Sequence, residues 1–326
     1  MKIAVLGGSG FLGYYLEKQI INKFSYKIFD KKKPLSNSEF VFFDITDSTN
    51  LDEFDDVDII INLAAIHRDD VKPKNLYEKV NVEGSKNICE IAKLKGINKI
   101  IFVSSVAIYG FSTQSIDENS PKNYFNEYGR TKFFAEKVYI EWQKEQEKER
   151  FLTIIRPTVI FGEGNRGNVF NLFNQINSGR FFMIGDGKNI KSMAYVKNVA
   201  AFIEFCLSFK SNLSIMNYAD KPDLNMESLV KKTRNILFNK NNVGKRLPKS
   251  FAMVFGYVAE IVSSVLNISF PISRIRVKKF LNTTQFSSLH QMNDFKAPYS
   301  LDDAIKNTLN YEFLNKNDKK ISFNAD

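Results

Sequence analysis

The sequence predicts an α/β protein, with a doubly wound parallel sheet in its first half and a smaller mixed α/β lobe behind it. Three observations point there. Short apolar runs (KIAVLG, YKIFD, DIIINLAA, KIIFVSS) alternate with amphipathic stretches near 11–23 and 75–96, the pattern of parallel strands covered by helices. A glycine-rich turn follows the first run directly. Beyond FLTIIRPTVIFG the composition shifts toward Asn, Gly and aromatics, which puts a boundary between 1–162 and a second lobe at 163–326.

Taken in order, the four apolar runs are buried strands, and a helix runs from Tyr128 to Glu149. FLTIIRPTVIFG is a further buried strand. Residues 194–209 (AYVKNVAAFIEFCLSF) read as one helix whose continuous apolar face returns to pack on the first domain. No internal repeat or low-complexity linker divides the chain.

Composition narrows the function classes. Of 326 residues 44% are hydrophobic, 25% charged and 8 are proline, an ordinary folded protein. Cys89 and Cys206 sit in apolar helical segments without metal or redox spacing, which fits a reducing cytosolic compartment. With only His67 and His290 available, a histidine metal cluster cannot be assembled, and no metal is expected. The first residues read as strand and turn, not as a signal peptide. A net charge of +10 raises the question of an anionic partner, with a generally lysine-rich proteome as the alternative. Many lysines nevertheless lie in solvated stretches such as 141–150, and no RNA-binding aromatic signature or zinc finger is present, so nucleic acid is not expected.

Gly7, Gly10 and Gly13 in GGSGFLG stand between the first strand and the first helix. They permit a tight turn, backbone approach to a pyrophosphate and close helix–strand packing, the Rossmann arrangement for a dinucleotide. Asp30 closes the second strand about 20 residues on, where an acid accepts from the adenosine ribose hydroxyls, favouring NAD. Lys31, Lys32 and Lys33 leave a 2′-phosphate, and hence NADP, as the lesser alternative.

YGRTK places Tyr128 and Lys132 four residues apart on one helical face. A phenol with an ordinary pKa of ~10 needs nearby positive charge to act as a base at neutral pH, and Lys132 can supply it. In FVSSVAIYG, Ser104 and Ser105 end a buried strand on the edge where doubly wound sheets hold ligands.

With these motifs the chain resembles the extended short-chain dehydrogenases/reductases, the NAD-dependent epimerase/dehydratase family. The resemblance selects Ser105 as the catalytic serine and implies that Tyr109 lines a sugar pocket. It implies further that Phe11, Leu12 and Pro157 contact the cofactor and that Asp44 and Ile45 border its adenine. Leu63, Ala64, Ala65 and His67 would lie along the dinucleotide, with Asn81 steadying the strands beneath the nicotinamide. Related dehydratases carry an acidic pair after the catalytic serine or threonine. Val106 and Ala107 stand there instead, which leaves reversible hydride transfer, all that an epimerase needs.

In the second lobe Asn168 matches an asparagine aimed at a diphosphate or uracil, and Lys191 stands where many relatives place a phosphate-binding arginine. Thr158 and Val159 replace a Phe-Asn pair whose asparagine reaches the nucleotide diphosphate, which argues against a free UDP-sugar. AAIHRDDVKPKNLY, TIIRPTVIFGEGNRGNVFNLFNQI, KSMAYV, DKPDLNM, RVKKF and APYSL resemble a narrower subgroup, the 4-epimerases of N-acetylglucosamine linked through diphosphate to undecaprenol. The product implied is an N-acetylgalactosamine lipid diphosphate for surface polysaccharide. A soluble UDP-N-acetylglucosamine or UDP-glucose 4-epimerase is the alternative, and a non-catalytic dinucleotide-sensing relative ranks last because Ser105, Tyr128 and Lys132 are all kept.

The stretch 251–270 carries one charge, Glu260, within a polar stripe of Ser263, Ser264 and Asn267. Lys245, Arg246, Lys249, Arg274, Arg276, Lys278 and Lys279 flank it. That pattern suits a helix lying in the membrane interface, and a helix buried in the second lobe is the competing reading. The expectation is a cytoplasmic protein, peripheral on the inner membrane through 251–279. Family analogy adds a homodimer through the helices near 75–96 and 128–149.

Overall fold

The computed structural model describes residues 1–47, 50–68, 71–110, 114–251, 281–288, 294–315 and 320–323. Apart from Phe251, the apolar stretch 251–270 lies outside the described residues, as do the basic positions 274–279 and His290.

Strand β1 (Lys2–Leu6) runs into helix α1 (Phe11–Ile20), then β2 (Ser25–Asp30), β3 (Phe40–Phe42) and β4 (Ile59–Asn62). Helix α2 (Asn75–Tyr77) widens into a π-helical turn, Glu78–Glu83, and continues as α3 (Gly84–Leu94). Next come β5 (Lys99–Val103), a 3-10 turn Val106–Tyr109, α4 (Glu127–Glu145), β6 (Phe151–Pro157) and β7 (Val159–Phe161). The remainder is α5 (Asn168–Asn177), β8 (Met183–Ile184), β9 (Ile190–Tyr195), α6 (Val196–Cys206), β10 (Leu213–Tyr218), β11 (Asp220–Asn225), α7 (Met226–Phe238), β12 (Arg246–Leu247) and α8 (Leu301–Leu309).

Seven strands form one parallel sheet in the order β10-β6-β5-β4-β1-β2-β3. Its central strands, β1, β4, β5 and β6, are buried on both faces, which is why they read as continuous apolar runs. Ile3, Val5, Ile61, Ile101 and Val103 join one core with Leu16 of α1 and Val199 and Ile203 of α6. Ala4, Leu6, Ile60, Ile100 and Phe102 join the other with Ile88 and Ile91 of α3 and Ala135, Tyr139 and Trp142 of α4. Strand order reverses between β1 and β4, so their C-terminal ends open the crevice in which such sheets hold ligands.

The chain after residue 162 returns to this body twice, through α6 against α1 and through β10 as the edge strand beside β6. The smaller lobe holds a mixed sheet, β11-β9-β7, and a two-stranded pair, β12-β8. Two expected elements differ. FLTIIRPTVIFG splits, because Pro157 ends the β6 pairing with β10 while β7 departs to pair with β9. The helix expected over 194–209 begins only at Val196. Ala194 and Tyr195 still belong to β9, and the Tyr195 amide is held by the Asp220 carboxylate at 2.5 Å.

At the mouth of α1, Gly13 packs so close to the preceding turn that an added Cβ would lie 2.2 Å from the Gly8 carbonyl oxygen. Gly13→Ala should therefore cost about 1–3 kcal/mol of stability through forced displacement of α1. Urea unfolding of the two proteins side by side measures this.

Candidate active site

The glycine corner is built at the strand-order reversal. Gly7 has φ +73°, and a Cβ there would lie 2.6 Å from the Ala64 nitrogen, so β1 and β4 approach by virtue of its missing side chain. Gly10, by contrast, is exposed, and an added Cβ would meet only the Gly7 carbonyl oxygen at 3.5 Å. It caps α1 with no side-chain hydrogen bond, leaving the first-turn amides and the positive end of the helix dipole to the crevice. The Asp30 carboxylate accepts from the backbone of Ser9 (3.0 Å) and Lys32 (3.2 Å), which fixes it at the end of β2. An open glycine turn, an uncapped helix start and a fixed acid one strand over fit a bound dinucleotide. Lys31 pairs with Asp44 at 2.9 Å, so its charge already has an anion, and the reading of NAD over its 2′-phosphorylated form is favoured. Burial works against ionisation of Asp44, but Lys31 and the Thr46 amide and hydroxyl outweigh it and hold the carboxyl below its usual range.

Around this corner the structure distributes the other expected cofactor residues. Leu63 donates from its amide to Leu6, and the Ala64 amide donates to Asn62, whose side chain in turn donates to the Tyr139 hydroxyl at 2.7 Å. Leu12, Leu63, Ala64 and Ala65 are half-buried, His67 is exposed, and Pro157 is buried at the end of β6. Phe11 stacks edge-on with Tyr15 and tilts against Phe323 at 5.7 Å. Ile45 is in the core beside Gly84, where a Cβ would stand 3.0 Å from it.

The segments that carry Ser105, Tyr128 and Lys132 meet for a reason visible in the backbone. Ser105 caps the 3-10 turn, its hydroxyl accepting from the Ala107 amide at 3.1 Å, a bond that does not consume the hydroxyl proton. Gly129, next to Tyr128, lies so near that turn that an added Cβ would be 2.4 Å from the Ala107 carbonyl oxygen. The first turn of α4 is thereby pressed onto the segment that presents Ser105. One turn on, Lys132 is 2% exposed, donates to the Val103 carbonyl at 2.7 Å and stands 4.4 Å from the Phe102 ring centroid. Burial brings its ammonium down to about 7, against an opposing pull from Glu136.

Asn81 braces both parts. Its side chain accepts from the Ile66 amide (2.9 Å) and donates to the Ile66 carbonyl (3.0 Å) and the Thr131 hydroxyl (2.9 Å), tying the loop after β4 to the helix bearing Tyr128. Spacing alone does not show this, because Ile66 lies 15 residues away and Thr131 50. Thr131 and Gly129 also escape sequence reasoning, although both lie inside the YGRTK motif.

The expected substrate residues are more dispersed. Tyr109 is 2% exposed; its hydroxyl donates to Asn217 (2.8 Å) and receives Arg156 (2.7 Å), and burial pushes it up to about 12. Asn168 is exposed at the first turn of α5. Lys191, on β9, donates to the Asn282 carbonyl at 2.6 Å, and burial lowers it to about 8. Among the described residues no group of three or more His, Cys, Asp or Glu side chains could hold a metal ion.

A doubly wound parallel sheet with an open glycine corner that fits a dinucleotide defines the class, NAD-dependent Rossmann enzymes. The chain belongs to the NAD dependent epimerase/dehydratase family, which it matches over residues 3–217. It is 43% identical over 325 residues, 98% of each chain, to the N-acetyl-alpha-D-glucosaminyl-diphospho-ditrans,octacis-undecaprenol 4-epimerase of Escherichia coli O157:H7. The UDP-glucose 4-epimerase of Vibrio cholerae is 25% identical over 246 residues, 70% of this chain and 74% of that one. In fold the chain is similar to the UDP-glucuronic acid 4-epimerase of Bacillus cereus solved with NAD, with TM-score 0.72, 18% identity and coverage of 95% and 98%.

Asp30→Asn is expected to weaken NAD by about tenfold, since hydrogen bonds to a charged group contribute roughly 1.5–3 kcal/mol, as read by calorimetric titration. A second expectation concerns Lys132. Between about pH 7 and about pH 10.4 the unfolded chain holds a proton that the folded protein without cofactor has released. Stability should therefore rise with pH across that window, by at most about 1.4 kcal/mol per unit. Urea midpoints across the range should show this rise in the wild type and not in Lys132→Met.

Proposed function

We propose that the protein interconverts N-acetylglucosamine and N-acetylgalactosamine on a diphospho-undecaprenol carrier, by epimerisation at C4 for surface polysaccharide synthesis. Similarity along 98% of each chain, at 43% identity, to the Escherichia coli 4-epimerase of that lipid-linked sugar carries the reading. The site supports it. The Tyr128 phenolate, stabilised by the Lys132 cation, takes the proton of the 4-hydroxyl, and Ser105 donates to the same oxygen. NAD, which the glycine corner and Asp30 would hold, would supply the hydride acceptor at C4 and the donor that returns it. The resulting 4-keto sugar rotates about its diphosphate link and presents the opposite face, so the returned hydride inverts C4, and Tyr128 gives its proton back. Val106 and Ala107 occupy the positions where a dehydratase needs an acid–base pair, so water is not eliminated.

Peripheral contact with the cytoplasmic face of the membrane belongs to the same proposal. Phe182 and Phe251 are 47% and 59% exposed, with Lys245 5.8 Å over the Phe182 ring. An exposed aromatic face with a cation over it suits the headgroup region of an anionic bilayer. No helix of the described residues is long and apolar enough to cross a membrane. A homodimer through α3 and α4 is also part of the reading; Leu94, 70% exposed at the end of α3, is an apolar residue that such an interface would cover.

The test is to give the purified NAD-bound protein either N-acetylglucosaminyl-diphospho-undecaprenol or UDP-N-acetylglucosamine and resolve the sugars after release. Conversion of the lipid-linked sugar alone is expected, with Tyr128→Phe about 10²–10⁴-fold slower. Conversion of the UDP-sugar alone would replace the carrier assignment with the soluble one.

A further inference from the structure

Tyr128, Lys132 and Glu136 follow one another at four-residue spacing along one stripe of α4. Glu136 is 2% exposed in its side chain, Arg156 of β6 4%, and they meet in a two-pronged pair, Nε to Oε1 at 2.9 Å and Nη2 to Oε2 at 2.7 Å. The remaining guanidinium nitrogen, Nη1, donates to the Tyr109 hydroxyl at 2.7 Å. Tyr109 ends the turn that Ser105 begins. One guanidinium thus grips both the helix that carries the base and its lysine and the turn that carries the serine. Beyond Tyr109 the chain of contacts passes to Asn217 (2.8 Å) and from its side chain to the Ser287 carbonyl (2.9 Å).

A buried ion pair is an expensive way to hold two elements together, since well-packed apolar residues do so without desolvating charge. Its position gives the reason. The Lys132 ammonium sits against an aromatic face and a single strand carbonyl, where burial favours loss of its proton. Tyr128 and Glu136 flank it on its own helix, and Glu136 is in turn paired with Arg156 of β6, which reaches Tyr109 on the turn after β5. Lys122 lies over the Tyr109 ring. Of these, Glu136 is the anion that draws the lysine back toward its charged form. We propose that Glu136 and Arg156 are positioning residues for the reaction. Glu136 keeps Lys132 cationic beside Tyr128, and Arg156 fixes Glu136 on one side and the Ser105 turn on the other. This rests on the epimerase reading only for the choice of turnover assay.

The experiment uses the NAD-bound protein with isotope-labelled lysine, the Lys132 signal being assigned by its absence in Lys132→Met. In Glu136→Gln, a substitution of equal size, the charged fraction of Lys132 at neutral pH should fall by about three- to tenfold. The alkaline fall in kcat should move to lower pH with KM little changed, and Glu136→Asp should restore part of both. Arg156→Lys keeps a cation for Glu136 but gives up the fork to Tyr109. It should leave the Lys132 titration near the wild type while lowering kcat about tenfold, and it serves if Glu136→Gln does not accumulate as folded protein. A folded Glu136→Gln with an unmoved Lys132 titration and an unmoved pH profile would overturn the inference, as would an Arg156→Lys protein with wild-type kcat. Absence of turnover in the wild type would strike the epimerase reading instead, and the lysine titration would still decide this one.

Discussion

A lysine ammonium enclosed by protein, donating to the carbonyl of Val103, is the constraint around which this site is arranged. To put Lys132 there, α4 must lie against the C-terminal ends of β5 and β6, and it does so because Gly129 offers no side chain where the helix meets Ala107. The same approach sets Tyr128 beside the turn that Ser105 caps. Burial has already brought the ammonium to about 7, so at neutral pH its charge is finely balanced. Small changes in neighbouring charge then decide whether a phenolate can be supported.

The cofactor corner is a second solution to the same problem of close approach. Three of its glycines do different work: Gly7 lets β1 pass Ala64, Gly13 lets α1 settle on Gly8, and Gly10 alone is left open toward the crevice. A pyrophosphate needs only that last one directly, since backbone amides and the helix dipole supply the attraction. Asn81 joins the loop after β4 to α4 through Ile66 and Thr131, so the proposed cofactor corner and the proposed base share one frame.

In the proposed reading the second lobe is where specificity enters. Its sheet and the segment 282–288 are stitched together: the Ser192 amide donates to Thr284, and Lys191 reaches the Asn282 carbonyl. Thr158, which replaces the more familiar phenylalanine, is buried between β6 and β7 with its amide on Tyr218, while Val159 is 38% exposed.

Much of this was legible in the sequence because it follows from local rules. Continuous apolar runs read as strands buried on two faces, the glycine turn followed the first of them, and Tyr128 and Lys132 share a helix face by spacing alone. Boundaries were less legible: nothing in AYVKNVAAF marks Tyr195 as the last strand residue, since the group that holds it, Asp220, arrives 25 residues later. The split of β6 from β7 likewise depends on which partner each half finds, β10 or β9. Sequence determined the chemistry available, a phenol, an amine and a hydroxyl beside a dinucleotide turn. Only the tertiary structure decided their electrical state, because the burial of Lys132 and the Glu136–Arg156 pair come from contacts between strands and helices far apart in the chain, and a charge responds to its surroundings in space.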